Sequence, residues 1–123
     1  MPGRFAIAQL AADAPVPDWA TEGAFSCVAR TPEELSVIVS ETFVPDDVRA
    51  ERDWACVAVV GPLPFETTGI MAGLAQTLAE AEVPILTLST FHTDYLLVRS
   101  GELERSLDAL RAAGHEVSTP LSD

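Results

Sequence analysis

One stretch restricts the fold of this sequence more than any other. Trp54-Ala-Cys-Val-Ala-Val-Val60 is an unbroken apolar run, rich in β-branched residues and stopped by Gly61-Pro62. Apolar residues on both alternating faces mark a central strand buried from two sides. Beyond the Pro62/Pro64 turn, Ile70, Leu74, Leu78 and Ala81 recur at helical spacing, which predicts a helix over about residues 66 to 82 with one apolar face. Pro84 separates it from Ile85-Leu-Thr-Leu-Ser-Thr90, and Phe91-His-Thr93 leads directly into Asp94-Tyr-Leu-Leu-Val-Arg99. Two β-rich runs joined so tightly read as a hairpin. Ser100-Gly101 offers an N-cap, Leu103, Leu107 and Leu110 give a second helical face, and Gly114 falls where a left-handed C-cap belongs. A short strand over 115 to 119 completes the order β-α-β-β-α-β. The fold class is therefore α+β: a split βαβ, ferredoxin-like arrangement with both helices on one face of the sheet.

The first 53 residues repeat this order only in part. Arg4 to Leu10, Phe25 to Arg30 and Leu35 to Glu41 read as strands, the last with apolar residues on both faces. Thr31-Pro-Glu-Glu34 has the form of a capping box with Pro at the first helical position, with room for one helical turn. The Pro-rich segment Asp13 to Glu22 predicts another short turn. The expectation is a truncated half-copy over residues 1–53 sharing one continuous sheet with a complete module over 54–123, with the acid-rich residues 42 to 53 as a solvated link.

Composition narrows the chemistry. All seven basic residues among the 123 are Arg, so no lysine is present for a Schiff base or a P-loop. A net charge of −12 opposes nucleic acid and anionic membrane surfaces, both of which are held through basic side chains. No apolar run approaches the roughly 20 residues that span a bilayer, and the N-terminus lacks a long apolar signal segment, so a cytoplasmic location is expected. Cys27 and Cys56 show no metal or redox spacing and read as two buried thiols. His92 and His115 have no Cys or His at ligand spacing, and no nucleophile elbow occurs. No catalytic residue, metal or cofactor is assigned.

Two segments carry more information. The turn Gly61-Pro-Leu-Pro-Phe-Glu-Thr-Thr-Gly69-Ile70 runs from a strand into a helix N-terminus, whose unpaired amides suit a carboxylate. The alternative is that Gly69 and Gly73 merely allow close helix packing. In Ser89-Thr-Phe-His-Thr-Asp94, an acid opens an otherwise apolar strand and can pair with a ligand cation. Its alternative is an acid that accepts hydrogen bonds from its own turn.

Together with Glu34-Leu-Ser-Val-Ile-Val39, the segments Gly61 to Ile70 and Leu88-Ser-Thr-Phe-His-Thr-Asp-Tyr-Leu-Leu-Val98 resemble the ACT-domain family. Specifically, they are similar to small bacterial proteins with two ACT modules related to the eukaryotic cytosolic arginine sensors. The resemblance covers about residues 20 to 118 and implies a non-catalytic ligand sensor, with an amino acid or other small metabolite held between modules. It assigns ligand contacts to Ser36 and Val37, to Gly69 with Ile70 beside it, and to Thr90, Phe91 and Asp94, the acid facing a basic group. Such a site would lie between the first and second modules, or between second modules of two chains. Pro64 stands where the family pattern carries an acid, which removes one polar contact. The expected partners are a small-molecule ligand and a second copy of the chain in a homodimer, with the regulated protein unassigned. The competing reading is a ligand-free structural or interaction module on the same fold; a small enzyme ranks last.

Overall fold

The structure is a computed structural model that describes residues 3–59, 70–91, 93–114 and 117–118. The chain divides into two compact units, one built on Met1–Trp54 and the other on Ala55–Pro120.

In the first unit, strands β1 (Phe5–Leu10), β2 (Ser26–Arg30), β3 (Leu35–Ser40) and the start of β4 (Ala50–Val59) form an antiparallel ladder in the order β2-β3-β1-β4. The register Ala6↔Val39 and Ala8↔Val37 places small residues opposite branched ones on a single face. All four are buried there with Ala20 and Val44. Ala20 comes from a 3-10 helix at Asp18–Thr21, the short turn that the Pro-rich segment predicts. Trp19, Phe43 and Val48 pack partly against the same core.

Two expectations for this half are corrected. The capping-box motif does not start a helix: Thr31 closes a hairpin loop between β2 and β3. Its N–H donates to Glu34 O at 2.9 Å, while its Oγ1 accepts from the N–H groups of Glu33 and Glu34 at 3.2 Å each. The same side-chain bonds that cap a helix here satisfy a four-residue loop, because strand residues flank it directly. The second correction concerns the link, whose last residues are strand. Glu51 and Ala50 pair with Ile7 and Ala8 of β1. Between Ile7↔Glu51 and Phe5↔Trp54 the register shifts by one residue on β4, a β-bulge at which Asp53 takes φ 71°. The Asp53 N–H donates to Glu41 Oε2 at 3.0 Å and its carboxylate pairs with Arg4 at 3.0 Å. The charges that made this segment look like a linker are partly bulge and loop fastenings.

The second unit contains the rest of β4, helix α1 (Ile70–Glu80), strands β5 (Leu86–Ser89) and β6 (Asp94–Arg99), helix α2 (Leu103–Ala112) and the short strand β7 (Val117–Ser118). β4 pairs with both β6 and β7, and β5 pairs with β6, which gives the order β7-β4-β6-β5. This is the βαββαβ order expected from the sequence. Ala55 and Val57 of β4, Leu96 and Val98 of β6, Leu78 of α1, and Leu103, Leu107 and Leu110 of α2 form one buried cluster. Both helices therefore cover the same face of the sheet. The predicted start of α1 at residues 66 to 69 and most of the final strand lie outside the described residues. Ser100 is not the cap of α2: Ser100–Glu102 is a 3-10 turn, and the helix starts at Leu103.

The end of α1 shows how the local sequence sets the packing. Val83 N–H donates to Leu78 O at 2.9 Å and Glu82 N–H to Ala79 O at 3.0 Å, the paired bonds of a Schellman motif. Val83 and Leu78, which the motif brings together, both belong to the core cluster. Glu82 holds the left-handed position at φ 61°, where a side chain is disfavoured; Gly114 supplies that conformation after α2 at φ 91°. Glu82→Gly should raise stability by about 0.5–1 kcal/mol, read as a higher urea midpoint with an unchanged slope.

Candidate functional site

The residues assigned by resemblance fall in both units. Ser36 and Val37 are neighbours on β3 and so point to opposite faces of the first unit's sheet. Val37 is fully buried in the core, paired with Ala8 on one side and Val28 on the other. Ser36 is half-buried on the open face, and its Oγ donates to Glu34 Oε1 at 2.8 Å. This bond holds a carboxylate over the sheet.

Around that carboxylate lies an open depression of about 320 Å³, bounded by Ile7, Gln9, Glu34, Ser36, Arg49 and Glu51. The strand register explains the grouping. Gln9 lies opposite Ser36, Ile7 lies opposite Glu51, and Gln9 N–H donates to Arg49 O at 2.9 Å. Residues directly opposed on adjacent strands sit side by side on one face. Gln9, Arg49 and Glu51 escape a reading of the sequence because their proximity depends on β4 pairing with β1. The only local signal is the alternation Arg49-Ala-Glu51.

Thr90, Phe91 and Asp94 share the β5–β6 hairpin of the second unit. Thr90 closes the turn twice on Thr93 O, through its N–H at 2.8 Å and its Oγ1 at 3.0 Å. Asp94 begins β6 opposite Ser89 and is half-buried. The N–H and the hydroxyl of Thr90 are thus both satisfied by the Thr93 carbonyl. Phe91 is 70% exposed at the tip. Gly69 lies outside the described residues, as do His92 and His115; Ile70 is described only as the first residue of α1.

Other chemistry is sparse. Among the described residues no three His, Cys, Asp or Glu side chains converge to hold a metal, and no helix is long and apolar enough to cross a membrane. Both cysteines are free thiols. Cys56 is buried, and desolvation raises its pKa from 9.0 to about 12. Cys27 is only half-buried, contrary to the expectation of two buried thiols, because β2 is the edge of its ladder.

Comparison with known proteins agrees with this organisation. A family profile described as an N-terminal domain matches residues 3–47, and the ACT-domain profile matches residues 49–112. Protein Atu0741 from Agobacterium tumefaciens shares 39% identity and a TM-score of 0.87, with 93% of this chain and 85% of that one covered. VC0802 from Vibrio cholerae, described as a possible transport protein, superposes at TM-score 0.75 and 18% identity, over 91% of this chain and 84% of its own. The regulatory subunit of aspartate kinase from Thermus thermophilus superposes at TM-score 0.64 and 13% identity, covering 91% and 92%. The last two likenesses concern the fold. With its βαββαβ unit matched by the family profile over more than half its length, the chain belongs to the ACT-domain family.

Proposed function

We propose that this protein is a non-catalytic regulatory module that binds an amino acid where ACT modules meet, and that it works as a cytoplasmic homodimer. Membership of the ACT family and the fold shared with a kinase regulatory subunit support a regulatory, ligand-binding role. The observation that carries the reading is the β5–β6 hairpin. Its turn is closed by Thr90 on Thr93, with Asp94 half-buried at the start of β6 and Phe91 exposed at the tip. An acid and an aromatic ring on one hairpin suit a side chain that carries a cation at the end of an apolar stem. Ser36 and Val37 are assigned contacts to the ligand backbone, and the Gly69–Ile70 turn the ligand carboxylate.

Thermal unfolding with each of the twenty amino acids tests this. One of them, at about 100 times its dissociation constant, should add about 2.7 kcal/mol of apparent stability. Asp94→Ala should weaken that response roughly tenfold or more without lowering the unliganded melting temperature, since the loss of a charge-assisted contact acts on binding alone. A folded protein that responds to no amino acid would overturn the reading. Sedimentation should give twice the monomer mass.

A further inference from the structure

We draw no further inference here: the strongest candidate, the surface along the outer edge of strand β2 where Val28 is 37% exposed, is an edge for which nothing in the structure shows what covers it.

Discussion

Leu96→Ala should lower the stability of the second unit by about 3 kcal/mol. Leu96 is completely buried in β6, with β4 on one side and β5 on the other. Its side chain joins Ala55 and Val57 from β4, Leu78 from α1 and Leu107 and Leu110 from α2 in one cluster. Removing three carbons at that point takes away contacts to both helices and the sheet at once. The site is closed in by strands and helices, so relaxation fills little of the cavity. Against a total of about 5–15 kcal/mol for a domain of this kind, such a loss is a large share. The measurement is urea unfolding followed by far-ultraviolet circular dichroism, with the midpoint falling and the slope unchanged. Leu86→Ala in the adjoining strand is the control. Leu86 is 41% exposed, so the same truncation there should cost less than about 1 kcal/mol. Equal losses at the two positions would contradict the core assignment.

The contrast between Leu96 and Leu86 also shows why the second unit was legible in the sequence. Its strands and helices carry uninterrupted apolar periodicity, and Pro84, Gly101 and Gly114 mark their ends, so that local pattern and tertiary packing agree. The first unit was harder because its local signals are ambiguous. Thr31-Pro-Glu-Glu34 satisfies the rules for a helix start and a hairpin loop alike, and only the strand pairing Arg30↔Leu35 decides between them. Residues 50 to 53 look like a polar link because their charges dominate the window. Pairing with β1 and a bulge at Asp53 turn them into strand. Neither outcome is encoded within a few residues of the site where it occurs.

The candidate site divides the same way. Thr90, Phe91 and Asp94 are close in sequence and share one hairpin, so a local motif was enough to group them. Ser36 could be named from a local segment, but its neighbours Gln9 and Glu51 lie 27 and 15 positions away along the chain. Register brings them together, and register follows from the match of Ala6 and Ala8 to Val39 and Val37 across the core face. The polar face is thus a by-product of the apolar one.

Alkaline pH should destabilise the protein through Cys56 by about 4 kcal/mol in all. Ala55 and Val57 face the helix-covered core, so Cys56 between them points to the opposite face of β4, and it is nonetheless 3% exposed. Burial raises its pKa from 9.0 to about 12, with desolvation as the cause. The folded state then keeps the proton that the unfolded chain releases. Stability from this group is fully present below pH 9.0 and declines as pH rises, by about 1.4 kcal/mol per unit, until the folded thiol itself ionises near pH 12. Urea midpoints for the wild type and Cys56→Ala, compared from pH 8 to pH 11, isolate the effect, because every other titrating group is common to both. The variant should start lower, from its lost packing, and the gap should shrink by about 2.7 kcal/mol by pH 11. A constant gap would show that the thiol titrates alike in both states. The same burial bears on function. A thiol that stays protonated beyond physiological pH is a poor nucleophile, so the one strongly shifted group among the described residues is tuned away from chemistry. Ellman's reagent at pH 8 should label Cys27 alone in the native protein and both thiols in urea, a pattern that fits a binding module rather than a thiol enzyme.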